Sequence, residues 1–465
     1  MNTATKTLPS RLVDIAGATQ VSDEPTELRG YAVDGKIPSV AVRPGSKEEV
    51  VEIVKFAAVE KLGVIASGAR TKLNMGLPPR QYDLALDMAR LDRVVACDPG
   101  DLTVAVEAGI PLRTLAGVLA EHKQFVPLAV PYFDQATVGG TVASGVDTPL
   151  RQFYGTARDY LLGVEYVTGE GVLAKSGGRV VKNVTGYDLH KLMIGSLGTL
   201  GVLLRINFRT FTLPEKSRAF VALFESAGRA LDMRHRMAQS PLTPNTLEIF
   251  SPRVADLLVS DAAARYGSGV FPADLLSNKH WALTTGFAGN DKVLERYKTE
   301  LSRMAQEAGA VRVSELGPEQ VPAAFSRERE FIPISLESSP ATTILKISVL
   351  PMRMRETLEA TARIAENNSV PWAAMARGLG VIYLALLPSE KNEEWRGRVT
   401  SATDQSIVAC SSLEGNATVP WCPSEWKSTM KIWGLERADV AQMQKVKKVF
   451  DPAGILSPGR FIGGL

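Results

Sequence analysis

Gly68-Ala69-Arg70-Thr71-Lys72-Leu73-Asn74-Met75-Gly76 follows the apolar, strand-like run Val64-Ile65-Ala66, and about seventy residues downstream comes Thr137-Val138-Gly139-Gly140-Thr141-Val142-Ala143-Ser144-Gly145. A turn built on glycine lets successive backbone N–H groups point at one anion, because no Cβ stands in the way. One such turn reads as a tight connection. Two of them suggest two stretches of backbone that approach something large and anionic, for which a dinucleotide pyrophosphate is the natural candidate. The usual nucleotide signatures are missing. No G-x-G-x-x-G follows the first strand, as a Rossmann dinucleotide fold requires, and no G-x-x-x-x-G-K-[ST] phosphate loop is present.

A third block decides between a bound dinucleotide and two plain turns. It runs Gly177-Gly178-Arg179-Val180-Val181-Lys182-Asn183-Val184-Thr185-Gly186-Tyr187-Asp188-Leu189 and continues to Gly195-Ser196-Leu197-Gly198-Thr199-Leu200-Gly201-Val202. In this order and at these spacings the three blocks resemble the vanillyl-alcohol-oxidase/PCMH-type flavoproteins, and within them the FAD-binding (E-type) subunits of glycolate oxidases. The likeness covers residues 38–214 and returns in Phe450-Asp451-Pro452-Ala453-Gly454-Ile455-Leu456-Ser457-Pro458-Gly459-Arg460-Phe461. It implies an α+β chain: a PCMH-type FAD-binding domain of two subdomains, with a ferredoxin-like antiparallel-sheet cap. The expected division is a lead-in (1–37), the FAD domain (38–214), the cap (215–426) and a tail returning to the FAD domain (427–465).

Under this resemblance the amides of Ser67, Gly68, Ala69, Arg70, Thr71 and Lys72 cradle the pyrophosphate. Arg70 or Lys72 either adds a charge-assisted bond or is a solvated loop charge. Val138, Gly139, Ala143, Ser144 and Gly145 pass the flavin and its ribityl chain, Val202 lies on the adenine side, and Thr137, Gly140 and Gly198 count with them as cofactor-binding. Lys182 and Tyr187 are candidates to face the flavin; Tyr187 reads equally as a core aromatic. Arg158-Asp159 reads as a structural ion pair. Some relatives attach FAD through a loop histidine or cysteine. Here His122, His190, His235 and His280 all lie outside both glycine turns, as do Cys97, Cys410 and Cys422. Noncovalent FAD is therefore expected.

Related 2-hydroxy-acid dehydrogenases carry an H-x-H pair in the cap that binds a divalent metal and assists proton removal. This sequence has no H-x-H, and no metal site is expected. The corresponding stretch reads as one strand over residues 375–382, where Arg377 either grips a carboxylate or is a surface or interface arginine. Three readings follow. The first is an FAD-binding subunit whose partners are a catalytic flavoprotein and an iron–sulfur subunit, the complex acting on a small 2-hydroxy acid. The second is a self-sufficient FAD-dependent dehydrogenase of a 2-hydroxy acid or other alcohol. The third is a scaffold that has lost its flavin.

Composition narrows the surroundings. With 53 basic and 50 acidic residues the net charge is +3, which offers nothing to nucleic acid. Three scattered cysteines match neither zinc nor iron–sulfur ligation and fit a reducing compartment. No apolar run approaches the ~20 residues that span a bilayer, and residues 1–23 lack the pattern of a signal peptide. A cytoplasmic location is expected, with any contact at the inner face of the membrane made through a partner.

Further along, Ser46 with Glu49 reads as a capping box opening a helix with Val50, Val51, Ile53, Val54, Ala57 and Ala58 on one apolar face. Beyond residue 214, strand and helix patterns alternate, suggesting an antiparallel sheet with helices on one face. Residues 388–426 read as loop-rich.

Overall fold

Val40–Val42, Leu84–Asp87 and Val64–Ser67 are short apolar runs, the pattern of strands covered on both faces. In the computed structural model, which describes residues 7–179, 186–267, 272 and 274–465, they form a parallel sheet with Val21–Ser22 added antiparallel at its edge. The helix Lys47–Glu60 packs Val50, Ile53, Val54 and Ala57 against this sheet. Ser46 Oγ accepts from the Glu49 amide at 3.2 Å, but the Glu49 carboxylate reaches past Ser46 to the Gly45 amide at 2.8 Å.

The second sheet is antiparallel, in the order Val94–Asp98, Thr103–Glu107, Val202–Arg209, Leu161–Val167, Leu173–Gly177. Its apolar face and the helices Leu112–Glu121 and Val138–Ser144 share one core. Asp159 does not pair with Arg158. It caps the short helix Ala157–Tyr160, accepting from the Thr156 amide at 2.7 Å.

Beyond residue 214 the chain builds an eight-stranded antiparallel sheet. Its first half runs Ser217–Phe224, helix Ala227–Ala238, Thr246–Phe250, Trp281–Ala288, helix Asp291–Glu307, Arg312–Leu316. Its second half runs Thr343–Ser348, helix Met354–Asn367, Trp372–Arg377, Val381–Leu386, helix Glu393–Ser412, Asn416–Trp421. Each half is a β-α-β-β-α-β unit in ferredoxin-like order, joined edge to edge through Thr246–Phe250 and Trp372–Arg377.

Three expectations are corrected here. Helices cover both faces of the sheet, because Val254–Leu258, Asp261–Tyr266, Val321–Arg329 and Phe331–Ser338 bury the face opposite the four longer helices. Residues 375–382 are a hairpin turning through Gly378-Leu379-Gly380, where Gly380 takes φ +93° against the Val349 carbonyl. Residues 388–426 hold a 20-residue helix and a strand, Glu393–Ser412 and Asn416–Trp421.

The C-terminal segment comes back to the first sheet. Val64 N donates to the Ile455 carbonyl at 2.8 Å and Ser457 N to the Val64 carbonyl at 2.8 Å. Among the described residues no helix is long and apolar enough to cross a membrane.

Candidate cofactor site

The two glycine turns meet. A Cβ on Gly68 would fall on the Thr137 side chain, so the first turn needs glycine there to lie against the second. A cleft opens between the two sheets at this contact, with about 760 Å³ of free space counting its mouth. Ser67, Gly68, Ala69, Arg70, Thr71 and Lys72 form one wall, and Thr137, Gly139, Gly140, Ala143 and Ser144 form the opposite one. Gly198 and Val202 close the inner end.

On the first wall, no backbone carbonyl among the described residues takes the amide hydrogens of Gly68, Ala69, Arg70, Thr71 or Lys72. The Ser67 hydroxyl is buried without a partner, as is Arg460 Nε, which reaches the cleft from the C-terminal segment. Buried polar groups are nearly always satisfied. A wall of five free amides with two unsatisfied donors fits a ligand rich in acceptor oxygens, as a pyrophosphate is. Arg70 stands at φ +61°, with its guanidinium 3.0 Å from Asp87 and 4.5 Å from the centre of the Tyr31 ring. Asp87 also accepts from the Tyr31 hydroxyl at 2.7 Å. Burial, and then this bond, push Tyr31 up to about 12. Arg70 is thus committed to holding its own turn. Lys72 is half-buried in the cleft wall beside Tyr132, and loss of solvation pulls its ammonium down to about 8.

On the second wall, Thr137 caps the helix Val138–Ser144 by accepting from the Gly140 amide at 3.3 Å. Gly139 and Gly140 do different work. A Cβ on Gly139 would stand 2.7 Å from the Ala108 Cβ, so this glycine seats the helix on the sheet. A Cβ on Gly140 would meet only Thr137 Oγ1, at 3.1 Å. Val138 and Gly145 do not line the cleft. Val138 is fully buried in the core, and Gly145, at φ +60°, ends the helix against Gly195.

Several lining residues were not singled out from the sequence: Met88, Ala108, Leu197, Gly201, Leu203 and Arg460. Arg460 lay within the quoted C-terminal block and carried the signal of a lone arginine after Pro-Gly. Its Nη2 donates to the carbonyls of Leu73 and Met75, tying the tail to the first turn. Lys447 ties it to the inner end, donating to the Thr199 carbonyl at 2.7 Å while paired with Asp451 at 2.6 Å. Tyr187 lines nothing: it is 90% exposed, neither core nor cleft. Lys182 lies outside the described residues.

Arg377 is neither a surface residue nor free. At 3% exposure it is sealed where cap and cleft domain meet, 2.6 Å from Glu248 and 3.4 Å from Asp147 of the loop after the second turn. Asp147 also holds Arg151 at 3.1 Å. Among the described residues no group of three or more histidine, cysteine or carboxylate side chains is arranged to hold a metal.

Comparison with known proteins places this geometry. The model of the FAD binding domain matches residues 38–177, and that of the C-terminal domain of FAD linked oxidases matches 213–416 and 434–461. The glycolate oxidase subunit GlcD of Bacillus subtilis (strain 168) is 23% identical over 463 residues, 98% of this chain and 97% of that one. The glycolate oxidase subunit GlcE of Escherichia coli (strain K12) is 36% identical over 171 residues, 37% of this chain and 48% of that one. In three dimensions p-cresol methylhydroxylase superposes with a TM-score of 0.76 at 16% identity, covering 97% of this chain and 95% of that one. The chain therefore belongs to the FAD-linked oxidases, with a PCMH-type FAD-binding fold, and is an FAD-dependent oxidoreductase.

Proposed function

We propose that FAD occupies the cleft without a covalent bond, its pyrophosphate on the amides of Gly68 to Lys72 and its ribityl chain passing Gly140, Ala143 and Ser144. Its adenine would lie toward Gly198 and Val202. The observation that carries this reading is the run of free amides facing a helix that starts at Thr137. Among the described residues no histidine or cysteine lines the cleft. Acid precipitation should release all the yellow chromophore into the supernatant; flavin left in the pellet would overturn the noncovalent reading.

The chain serves, in this reading, as an FAD-binding subunit of a 2-hydroxy-acid dehydrogenase complex of glycolate-oxidase type, beside a catalytic flavoprotein and an iron–sulfur subunit. Bound flavin supplies two-electron redox chemistry. The protein's own residues bind and orient it, but the cap offers little to the substrate. Arg377, the side chain suited to a carboxylate, is already neutralised by Glu248 and Asp147, and the sequence has no H-x-H pair to assist proton removal. The names of the two glycolate oxidase subunits support the substrate class. Any membrane contact runs through a partner. The test is flavin reduction by glycolate or D-lactate under anaerobic conditions. Slow or absent reduction of the isolated chain with fast turnover in the co-purified assembly is expected.

One observation favours the stand-alone dehydrogenase. Lys346, on the cap strand Thr343–Ser348, lines a second cavity together with Arg151, Lys191 and Asp147, whose carboxylate charge reaches it without an ion-pair contact. A substrate carboxylate would suit it. Rapid reduction of the isolated chain by glycolate, without partner or added metal, would decide for this reading.

A further inference from the structure

Lys72 leaves the first glycine turn toward the cap. Its Nζ lies 5.7 Å from the centre of the Tyr132 ring, and its hydrogen bond goes to the hydroxyl of the neighbouring Thr71, at 3.3 Å. The acid whose charge reaches it is Glu330 of the cap. Glu330 is engaged elsewhere: it accepts from the Tyr132 amide at 2.6 Å and the Phe133 amide at 3.2 Å, and it pairs with Arg329 at 3.0 Å. The cleft thus holds a half-buried ammonium with no carboxylate of its own, and such a group is stabilised when an anion joins it.

Bound FAD brings negative charge at two places, the pyrophosphate and, once reduced, the pyrimidine edge of the flavin ring. The pyrophosphate is served by the free amides where Gly68 abuts Thr137. Lys72 is turned from that point toward Tyr132 and Glu330, where cleft domain and cap join. Met88, Val202 and Leu203 wall the inner part of the cleft between the two sheets, which leaves the cap side for the redox ring.

We propose that Lys72 is the counter-ion of the flavin ring, a cofactor-tuning lysine that stabilises the reduced, anionic ring and so raises the midpoint potential of bound FAD. The idea rests on the placement of FAD given above. Its physics is ordinary: a fixed cation in a cleft of low dielectric favours whichever redox state carries the opposite charge.

The test uses the full chain loaded with FAD, with Lys72→Met to remove charge at similar length and Lys72→Arg to keep it. Three quantities are read: FAD affinity, midpoint potential, and the dissociation constant of sulfite, which adds more tightly to electron-poor flavins. For Lys72→Met, FAD affinity within about threefold of wild type is expected, with a lower potential and sulfite binding weaker by about tenfold or more. Lys72→Arg should restore both. Loss of FAD affinity with an unchanged potential would make Lys72 a pyrophosphate ligand and overturn the proposal, as would no change in either quantity. Failure of the wild-type chain to bind FAD would instead overturn the placement of the cofactor.

Discussion

Arg70 and Lys72 stand two residues apart in one turn and have different fates. Sequence alone gives each the same pair of readings, phosphate ligand or solvated charge. Tyr31 and Asp87, which claim Arg70, lie 39 and 17 positions away, and no local spacing announces them. Lys72 has no such claimant, and its burial has a pH consequence. In the FAD-free cleft it titrates near 8. An anionic cofactor raises that value, so FAD binding takes up a proton above pH 8. Affinity for oxidised FAD should be level below pH 8 and fall, by no more than about threefold, as pH rises past it, because the charge of Lys72 acts mainly on the reduced ring. For the FAD-free fold the sign reverses: the unfolded lysine keeps its proton to about 10.5, so this group's contribution to stability rises with pH from 8 to 10.5. FAD titrations by fluorescence on both sides of pH 8, with Lys72→Met as control, check the first statement; a flat profile in the wild type refutes it. The neighbouring glycines separate by what their Cα atoms face. Gly140→Leu puts a side chain into the cleft and should abolish FAD binding with the fold intact by circular dichroism. Gly139→Leu drives into Ala108 and should cost about 1–3 kcal/mol of stability or more, read by urea unfolding.

Elements were legible where their pattern was regular. The strand Phe220–Phe224 and the helix of residues 291–308 announce themselves by apolar runs and by spacing of three and four. The helix Glu393–Ser412 does not, because between its large buried apolar residues Val399 and Ile407 it buries Ala402, Thr403 and Ser406, small or polar groups that blur the apolar stripe. The hairpin of Trp372–Arg377 and Val381–Leu386 is hidden for another reason: both strands are buried throughout, so no alternation marks where one ends. The hairpin is paired on both sides within the sheet, and Arg377 at its turn adds charge contacts to Glu248 on the adjoining strand and to Asp147 across the domain boundary. Arg377→Leu should leave the buried Glu248 uncompensated, while Asp147 keeps Arg151, and cost about 3–5 kcal/mol. Because Arg377 meets the second turn only through Asp147, which Arg151 still holds, FAD affinity below the unfolding transition should stay near wild type. Urea unfolding together with FAD titration measures both, and an unchanged midpoint would show that the cap edge is held by its apolar packing alone.

At the scale of the whole molecule, the cleft depends on a segment from the far end of the chain. The block from Phe450 to Phe461 drew attention in the sequence as a resemblance, but its physical part was not readable there, since it consists of contacts with residues more than two hundred positions earlier. Lys447 is the joint. Its ammonium, buried with Asp451, donates to the carbonyls of Thr199, beside the inner end of the cleft, and of Leu456, which lies on the first sheet at Val64. Asp451 accepts in turn from the amides of Ile455 and Leu456. Lys447→Met would strand a carboxylate that is 1% exposed, at a cost of about 3–5 kcal/mol. It would also free the Thr199 loop, which carries Leu197 at φ +52° and Gly198 at φ +72° into the cleft wall. Both stability and FAD affinity should therefore fall together, unlike Arg377→Leu, which should move stability alone. Thermal unfolding with and without FAD, and FAD titration well below the transition, separate the two cases. A Lys447→Met protein that is less stable yet binds FAD as tightly as wild type would show that the tail braces the fold without shaping the cleft.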